Sequence, residues 1–431
     1  MKICFIGTGF VGVVSAAVFA SFGNQVVGLD IDEKKIEKLK EGIVPFFEPG
    51  LQELLLEQQK TGNLTFVTDY ETAIKDADVV IIIVGTPSKE SGEADLTYVF
   101  KAAESLAPHL KPNAIVVVKS TVPPGSFKTV EGKIRSNTQV PFTMASLPEF
   151  LKEGTAVQDT LHPDRVVIGA DDDATFAKLE EMHKPFNVPV VHVSVESAQL
   201  GKYASNAYLA NRITFINQVA DLASKTNADI QEIIQVMGYD KRIGSHYWYP
   251  GFGYGGSCFP KDVKELAALS RSLNLDENLF IKMDQLNDER IAKLLTEYGK
   301  QIGGWENKKV AVLGLAFKPQ TDDMREAPST KVIPFLISQH AQVIGYDPKA
   351  VPVVEHFISP DPQINYTENL ESAVTDADVI IALIEWPEII GFDFSKTKTQ
   401  TKTQWFIDAR NQFEPATVTG WGYQYLGVGR S

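Results

Sequence analysis

Two similar blocks of sequence, one in each half of the chain, constrain the fold more than any other feature. Ala73–Ile81 (AIKDADVVI) returns with small changes as Ala373–Ile381 (AVTDADVII). Each block follows an apolar segment of strand length that ends at a glycine, Gly7 in the first half and Gly314 in the second. Apolar segments of this length that alternate with helical segments are typical of parallel sheets. The repeat therefore predicts an α/β protein with two parallel-sheet domains.

Three glycines follow the first apolar segment, Lys2–Ile6, and precede a helix rich in small residues. In a strand–turn–helix unit, Gly7 permits the tight turn, Gly9 lets the backbone approach a pyrophosphate, and Gly12 lets the helix pack on the strand. Asp30 ends the second predicted strand, where a carboxylate can hold both ribose hydroxyls and repel a 2′-phosphate. The pattern predicts a dinucleotide-binding domain that prefers NAD to NADP.

The second half keeps the strands but lacks the glycine triplet. The strand that ends at Gly314 is followed by a loop with Lys318, and a later strand, Val343–Tyr346, ends at Asp347. Open parallel sheets bind ligands at the carboxyl ends of their strands, so we expect a ligand site there as well. A lysine in place of the glycines favours a nucleoside diphosphate held by cations over a dinucleotide.

A long segment of helical character joins the two halves. Residues 197–298 are predicted to be mostly helical, and residues 198–224 form one long helix with few interruptions. The expected domains are a dinucleotide-binding domain at 1–196, a helical region at 197–300 and the second parallel-sheet domain at 301–431. A long helix between two domains often forms a dimer surface, and the alternative is a connector bridged by solvent.

The most informative loop is Gly251–Asp262 (GFGYGGSCFPKD). Its many glycines indicate that the backbone approaches something closely, and Pro260 is suited to the first turn of a helix. Cys258 therefore lies just before a helix N-terminus, where the helix dipole and the nearby Lys261 favour the thiolate. Asp262 could face the thiol or carry a proton. A lone cysteine is usually a small buried packing residue, but the polar, glycine-rich surroundings favour a nucleophile.

Two further groups of polar residues complete the set of candidates. Lys202 and Asn206 are four residues apart on the predicted long helix, so they share a face and could bind an alcohol oxygen and then an oxyanion. Thr121 follows the predicted strand Ala114–Val118 and could position a water, and Glu149 follows the next strand and could act as a base. Each has an ordinary alternative, as an exposed lysine beside a helical amide, a turn cap or a solvated acid.

The net charge and the cysteine content limit the classes of binding partner and the cellular compartment that we expect. Lys plus Arg number 41 and Asp plus Glu number 55, a net charge of −14 that argues against nucleic acid or an anionic membrane as the main partner. Cys4, in an apolar segment, and Cys258 do not form a disulfide framework, and no apolar run approaches membrane-spanning length. The N-terminal segment lacks a signal-peptide pattern. We expect a cytoplasmic protein without a metal site.

Together, the opening glycine loop, Ser120–Pro123 (STVP), Pro148–Phe150 (PEF), the polar pair on the long helix and the Cys258 loop resemble the nucleotide-sugar 6-dehydrogenases of the UDP-glucose/GDP-mannose dehydrogenase family. The resemblance covers nearly the whole chain and implies two Rossmann-like domains joined by a long central helix. It also implies two successive NAD-dependent oxidations at C6 of a nucleotide sugar, with Cys258 forming a thiohemiacetal and then a thioester. UDP-glucose is the implied substrate, and a homodimer is the implied assembly.

The resemblance assigns roles to the positions that match the family's motifs. The implied catalytic residues are Thr121, Glu149, Lys202, Asn206, Cys258 and Asp262. The residues implied to hold NAD are Gly7, Gly9, Val11, Gly12, Asp30, Lys35, Thr86, Thr121, Glu153 and Arg325. The residues implied to hold the sugar nucleotide are Glu149, Phe150, Leu151, Lys152, Lys202, Asn206, Tyr208, Arg242, Tyr249, Gly255, Lys318 and Arg410. Arg242 is implied to reach the site of the other subunit, and the first-step base is Lys202 or a water held by Thr121 and Asp262.

The sequence leaves several alternatives: other nucleotide sugars as the substrate, and two other functions. Branches of the family act on GDP-mannose or on N-acetylated UDP-sugars, and the latter typically have Gly-Gly-His-Cys where this chain has Gly255–Cys258 (GGSC). Tyr254 and Phe259 favour UDP-glucose. A two-electron hydroxyacid dehydrogenase would leave Cys258 and the second parallel-sheet domain unused. A non-catalytic NAD sensor would not need the catalytic set.

Overall fold

Fourteen short strands in two separate sheets organise the computed structural model, which describes residues 1–275, 278–398 and 404–430. The chain divides into two compact units, each with one sheet. The first unit is Met1–Ser205 with Arg271–Leu273, and the second is Asn206–Ser270 with Asn274–Ser431. The division falls within the long helix, and the domain boundaries expected at 196 and 300 stay a prediction.

The first sheet holds eight strands. They are β1 Lys2–Ile6, β2 Gln25–Leu29, β3 Leu64–Val67, β4 Val79–Ile82, β5 Ala114–Val118, β6 Phe142–Ser146, β7 Val166–Ala170 and β8 Val190–Val193. Their order is β3-β2-β1-β4-β5-β6-β7-β8, and neighbours are parallel except for β6 and β7. The strand order reverses between β1 and β4, which is where open parallel sheets form a ligand crevice. The predicted bounds of β1, β2 and β5 are confirmed.

The second sheet repeats the first. Its strands are β9 Lys309–Leu313, β10 Gln342–Tyr346, β11 Ile364–Thr367, β12 Val379–Ala382, β13 Trp405–Asp408 and β14 Gln424–Gly427. Their order is β11-β10-β9-β12-β13-β14 with every neighbouring pair parallel, which matches the first six strands of the other sheet. The predicted α/β class, with two parallel-sheet domains and a long central helix, is confirmed.

Helices and short 3₁₀ turns connect the strands. The helices are α1 Phe10–Ser21, α2 Glu33–Lys40, α3 Leu51–Lys60, α4 Tyr70–Ile74, α5 Thr97–Leu106, α6 Ser126–Arg135, α7 Ala156–Leu161, α8 Asp173–His183, α9 Val195–Thr226, α10 Ile230–Gly238, α11 Phe259–Ser272, α12 Leu279–Ile302, α13 Ser329–Ser338, α14 Leu370–Val374, α15 Pro387–Ile390 and α16 Pro415–Gly420. The 3₁₀ turns are Ala107–His109, Lys184–Phe186, Val351–His356 and Phe394–Thr397. The predicted long helix is confirmed within α9. In the part of the chain that the structure describes, none of these helices has the length and apolar character of a membrane span.

Strand β1 shows why the first sheet is covered on both faces. Ile3 and Phe5 pack into the core that includes α1, and Cys4 and Ile6 pack into the core that includes α5. All four side chains are at most 2% exposed, as expected for a central strand of a parallel sheet. Burial raises the pKa of the Cys4 thiol, so this cysteine is a packing residue, as predicted.

The repeated sequence block has the same structural task in both halves. Asp78 Oδ2 accepts a hydrogen bond from Lys2 N at 2.9 Å, and Asp378 Oδ2 accepts one from Lys309 N at 2.8 Å. The backbone N–H of each aspartate donates back to the carbonyl of the same lysine at 2.8 Å. Each aspartate therefore satisfies the first N–H of the first strand while its own segment enters the fourth strand beside it.

Candidate active site

The glycine loop at the end of β1 is closed on one side by the protein and open on the other. A Cβ on Gly12 would lie 2.1 Å from the carbonyl oxygen of Gly7, and a Cβ on Gly7 would lie 2.6 Å from that of Ile83. A Cβ on Gly9 would meet no described atom within 4 Å. Gly9 is also the N-cap of α1, and within the described residues no side chain caps that helix. Open space before an uncapped helix N-terminus fits a pyrophosphate, so the residues present fit a dinucleotide.

Asp30 lies directly after β2 and is held by the same loop. Its Oδ2 accepts hydrogen bonds from Thr8 N and Thr8 Oγ1, both at 2.9 Å, and lies 2.9 Å from Lys35 Nζ. Burial raises the pKa of this carboxyl, but Lys35 and the backbone donors outweigh burial, so the pKa lies below its usual value. The predicted acid is thus in place and ionised. Sequence reasoning missed Thr8, although it stands between Gly7 and Gly9.

In the second half, the equivalent acid is Asp347, and protein groups donate hydrogen bonds to both of its carboxylate oxygens. Asp347 is 0% exposed, and its Oδ2 accepts hydrogen bonds from Leu315 N at 2.8 Å and from Trp386 Nε1 at 3.1 Å. Its Oδ1 accepts from the backbone N–H groups of Lys349 and Ala350. A carboxylate that is 0% exposed cannot reach a ribose, whereas the Asp30 side chain is 11% exposed. This agrees with the expectation that the second half does not bind a dinucleotide as the first half does.

Glu149 and Lys202 form a buried ion pair in the first unit. Lys202 Nζ lies 3.0 Å from Glu149 Oε1, and the two side chains are 4% and 10% exposed, respectively. The second oxygen, Oε2, accepts a hydrogen bond from Leu151 N at 2.8 Å. Burial raises the pKa of Glu149, but Lys202 and Lys119 outweigh it, and the pKa lies below its usual value. Lys119 was not a predicted site residue; burial lowers its pKa to about 8. The pair supplies an ionised carboxylate beside an ammonium group.

The residues after Glu149 hold charged neighbours of their own. The Phe150 ring centroid lies 5.2 Å from Lys202 Nζ and 3.8 Å from the guanidinium carbon of Arg165. The backbone N–H of Lys152 donates to Asp159 Oδ2 at 2.9 Å, and its Nζ lies 3.7 Å from Asp159 Oδ1. These contacts fix the segment in which four predicted sugar-nucleotide positions follow one another.

The other predicted NAD positions of the first unit lie on the same edge of the sheet. Val11 stands in the first turn of α1 and is half-buried. Thr86 Oγ1 donates to the carbonyl oxygen of Thr121 at 3.0 Å, so the loops after β4 and β5 are joined. Glu153 is 9% exposed. The structure therefore brings the loops after β1, β4, β5 and β6 to one carboxyl edge, as the sequence predicts for a parallel sheet.

Cys258 is the residue before α11, as predicted from Pro260. Its carbonyl oxygen accepts a hydrogen bond from Asp262 N at 2.9 Å, which begins the helix. The thiol is half-buried and not in a disulfide, and its Sγ lies 3.6 Å from Ser257 Oγ. A helix N-terminus at this position favours the thiolate over the thiol.

Asp262 is a fully buried acceptor in the second unit. Its Oδ2 accepts a hydrogen bond from Asn206 Nδ2 at 2.6 Å, and its Oδ1 lies 2.5 Å from Lys261 Nζ. The side chain is 1% exposed. Since Lys202 and Asn206 are one turn apart on α9, one helix carries both the partner of Glu149 and the partner of Asp262.

The glycines before Cys258 are pressed against protein atoms that are distant in sequence. A Cβ on Gly251 would lie 2.6 Å from the carbonyl oxygen of Ala409, and a Cβ on Gly255 would lie 2.2 Å from that of Glu326. The close approach predicted from the glycine content is confirmed. Its partners are backbone segments that follow strands of the second sheet.

Three predicted cations lie in loops of the second sheet. Arg410 donates to the carbonyl oxygen of Phe317 at 3.2 Å, and its side chain is 15% exposed. Lys318 Nζ lies 5.4 Å from the Phe317 ring centroid. Arg325 pairs with Asp323 at 2.8 Å and is 53% exposed. The loops after β9 and β13 thus carry all three cations, and Arg325 and Arg410 lie beside Asp323 and Glu385, respectively.

Three other sugar-nucleotide candidates are exposed in the single chain. Tyr208 is 60% exposed and Tyr249 is 48% exposed. The Arg242 side chain is 89% exposed, in the loop between α10 and α11, and lies 2.6 Å from Asp240 Oδ2. All three side chains therefore have exposed surface that another molecule could contact.

Three family descriptions cover most of the chain. Residues 1–187 match the NAD binding domain of the UDP-glucose/GDP-mannose dehydrogenase family, residues 196–289 match its central domain, and residues 311–415 match its UDP binding domain. The chain belongs to the UDP-glucose/GDP-mannose dehydrogenase family. The resemblance inferred from the motifs is confirmed.

Individual relatives match this family member over its full length. The UDP-glucose 6-dehydrogenase of Rhizobium meliloti is 41% identical over 441 residues, which is 100% of both chains. UDP-glucose 6-dehydrogenase YwqF of Bacillus subtilis is 40% identical over 433 residues, covering 100% of this chain and 98% of the relative. The solved structure of a UDP-glucose dehydrogenase from Pyrobaculum islandicum matches with a TM-score of 0.93 at 34% identity, over 100% of this chain and 98% of that one. As a member of the family, the chain is an NAD-dependent dehydrogenase.

Proposed function

We propose that the chain oxidises C6 of UDP-glucose to the carboxylate of UDP-glucuronate, using two NAD⁺ and one water per sugar. Full-length relatives named UDP-glucose 6-dehydrogenase support the substrate. The observation that carries the proposal is Cys258, a thiol without a disulfide at the N-terminus of α11. A dehydrogenase that removes only two electrons from an alcohol has no use for a nucleophilic thiol.

The overall change removes four electrons from one carbon. The alcohol R–CH₂OH and one water give the carboxylate R–COO⁻, two hydrides and three protons. The nicotinamide of NAD, when bound, accepts one hydride in each oxidation. Gly9 and the N-terminus of α1 would hold its pyrophosphate, and Asp30 would hold its adenosine ribose. The other residues proposed to hold NAD are Gly7, Val11, Gly12, Lys35, Thr86, Thr121, Glu153 and Arg325.

Lys202 and Asn206 act on the hydroxyl oxygen in the first oxidation. The Lys202 ammonium, 3.0 Å from Glu149 Oε1, can donate to an oxygen that is losing its proton. The proton passes to water, which is the alternative base that a charged lysine leaves available. Asn206 uses one N–H for Asp262 and has a second N–H for the same oxygen.

Cys258 captures the aldehyde that the first oxidation produces. Its sulfur forms a bond to the carbonyl carbon, and the oxygen takes a proton to give the thiohemiacetal. Loss of the second hydride and of the hydroxyl proton gives the thioester. Water then adds to the thioester carbon and the carbon–sulfur bond breaks. The Cys258 thiolate is the leaving group, and the uronate is released. Glu149, held ionised beside Lys202, takes a proton from that water.

The proposal assigns eight further residues to the sugar nucleotide. They are Phe150, Leu151, Lys152, Tyr208, Tyr249, Gly255, Lys318 and Arg410. The same proposal assigns NAD binding to residues 1–196, dimerisation to 197–300 and UDP-sugar binding to 301–431. We place the reaction in the cytoplasm, where a reducing environment keeps the Cys258 thiol reduced.

The NADH yield per sugar tests the four-electron reaction. We expect two NADH for each UDP-glucose consumed, measured at 340 nm with limiting sugar and excess NAD. GDP-mannose and UDP-N-acetylglucosamine serve as competitors and should react more slowly. A yield of one NADH per sugar would contradict the four-electron reaction. A faster reaction with either competitor would show that the competitor, and not UDP-glucose, is the preferred substrate.

Replacement of the nucleophile tests covalent catalysis directly. Cys258→Ser should bind both substrates, lose turnover by several orders of magnitude and accumulate a slowly hydrolysed ester, because an ester is less reactive than a thioester. Intact-protein mass spectrometry should then show an added uronyl-nucleotide mass. In the wild type, a thiol alkylator should modify Cys258 and spare the buried Cys4, and UDP-glucose should protect Cys258. Near-normal production of two NADH by Cys258→Ser would rule out the covalent route.

We also propose that the chain forms a homodimer through α9 and α10. Tyr208, Phe215 and Leu222 recur at intervals of seven residues on α9 and are 60%, 49% and 66% exposed, so they form one apolar stripe. On α10 and just after it, Val236 is 75% exposed and Tyr239 is 80% exposed. An exposed apolar surface of this kind marks an interface, and a second copy presents the same stripe.

Mixed dimers test the role of Arg242 across that interface. Arg242→Ala and Cys258→Ala subunits should be inactive alone, but a hybrid dimer contains one site with both residues intact. Random exchange should therefore restore about a quarter of wild-type activity. Native mass spectrometry would verify the hybrids, and no recovery in verified hybrids would restrict Arg242 to its own subunit.

A further inference from the structure

Glu326, in the segment between β9 and α13, has a backbone conformation that is unusual for its residue type. Its φ is +50°, in the left-handed region that costs an ordinary residue free energy and that glycine adopts freely. Non-glycine residues in this region often lie at functional sites, where the surrounding structure holds them in place. Glutamate therefore holds, at position 326, a backbone conformation that glycine would adopt more easily.

The side chain of Glu326 makes two ion pairs. Its Oε1 lies 3.5 Å from Lys264 Nζ, and its Oε2 lies 3.6 Å from Lys331 Nζ. Lys264 belongs to α11, six residues after Cys258, and Lys331 belongs to α13. The carboxylate therefore ties its own segment to the helix that begins at the candidate nucleophile.

The backbone of the same segment touches the Cys258 loop. Gly256 N donates a hydrogen bond to the carbonyl oxygen of Arg325 at 3.0 Å. The Glu326 carbonyl oxygen is so near Gly255 that a Cβ there would lie 2.2 Å from it. The two residues before Ser257 and Cys258 are thus placed by residues 325 and 326.

We propose that Glu326 is a positioning residue that holds the segment 325–326 against the Cys258 loop. The inference rests on the proposed nucleophilic role of Cys258. The two lysine pairs stabilise the left-handed backbone of Glu326, and that backbone presents the Arg325 and Glu326 carbonyls to Gly256 and Gly255. Without the pairs, the segment relaxes toward ordinary φ values and the Cys258 loop loses its support.

Two substitutions separate the charge from the backbone. Glu326→Gln keeps the backbone cost and removes the ion pairs, whereas Glu326→Gly removes both. We expect Glu326→Gln to lower kcat about fivefold and to raise the alkylation rate of Cys258 by iodoacetamide about fivefold. Glu326→Gly should change kcat and alkylation less than about twofold, because glycine accepts the left-handed backbone at no cost.

The matched control is Asp376→Asn, which removes one exposed acid at φ +57° in the turn before β12. It should change neither kcat nor alkylation, and melting temperatures would show that all variants fold. If Glu326→Gln does not fold, Lys264→Gln removes the ion pair at 3.5 Å and carries the same expectation. Wild-type behaviour of Glu326→Gln, or a larger loss in Glu326→Gly than in Glu326→Gln, would overturn the proposal. Alkylation needs no turnover, so this result stands apart from the Cys258→Ser test.

Discussion

Alanine at Gly12 and at Gly9, one at a time, should separate the packing of the glycine loop from its contact with NAD. In Gly12→Ala, the new Cβ would lie 2.1 Å from the Gly7 carbonyl oxygen, about 1 Å inside ordinary contact. The obstructing atom is backbone, so α1 must move away from β1. Overpacking costs about 1–3 kcal/mol, and we expect the upper end, about 3 kcal/mol. The melting temperature should fall by about 6–12 °C for a unit of this size.

Gly9→Ala should have the opposite profile. Its Cβ meets no described atom within 4 Å, so the expected cost is only the weaker N-cap of α1, less than about 1 kcal/mol. The methyl group would occupy the space assigned to the pyrophosphate. KM for NAD should therefore rise about tenfold or more, with KM for UDP-glucose within about twofold.

Thermal unfolding followed by circular dichroism, and initial rates with each substrate varied in turn, would measure both effects. Gly132→Ala, in α6 with no described atom near its Cβ, is the control and should leave both KM values unchanged. The reasoning is refuted if Gly9→Ala binds NAD normally or if Gly12→Ala melts with the wild type.

Three further outcomes follow from charges in the structure. Asp30→Ala should narrow the preference for NAD over NADP in kcat/KM, because it removes a carboxylate near the ribose and leaves Lys35 for a 2′-phosphate. Burial lowers the pKa of His183 to about 4, so the unfolded chain binds a proton before the folded chain does as the pH falls. The free energy of unfolding should therefore drop by about 3 kcal/mol from pH 6.5 to 4. In urea titrations, His183→Gln should reduce this dependence of the unfolding free energy on pH. Lys318→Ala should raise KM mainly for UDP-glucose and Arg325→Ala mainly for NAD; unchanged KM values in both would remove these roles.

Local spacing determined the elements that carry the first half of the site. Lys2–Ile6, Gly7, the start of α1, Gln25–Leu29 and Asp30 follow one another within thirty residues, and each is specified by its neighbours in the chain. The helix start after Cys258 was likewise readable, because Pro260 favours one position of a helix. The repeated block predicted the second sheet for the same reason.

The pairing of the charged residues was decided only by the tertiary structure. Lys202 finds Glu149 53 residues earlier, and Asn206 finds Asp262 56 residues later. The sequence placed Lys202 and Asn206 on one helix face but gave no period or spacing that names their partners. Which residues become those partners depends on the segments of the folded chain that pack beside α9.

Asp30 and Asp347 also show that the sequence does not reveal the hydrogen-bond partners of a side chain. Both directly follow the second strand of a parallel sheet, so their local positions in the sequence are alike. In the structure Asp30 accepts from Thr8 and Lys35, whereas Asp347 is closed over by Leu315 and Trp386. Trp386 comes from a loop 39 residues away. A residue's type and its strand are local properties, but the atoms that saturate its oxygens arrive from remote parts of the chain, and only folding brings them there.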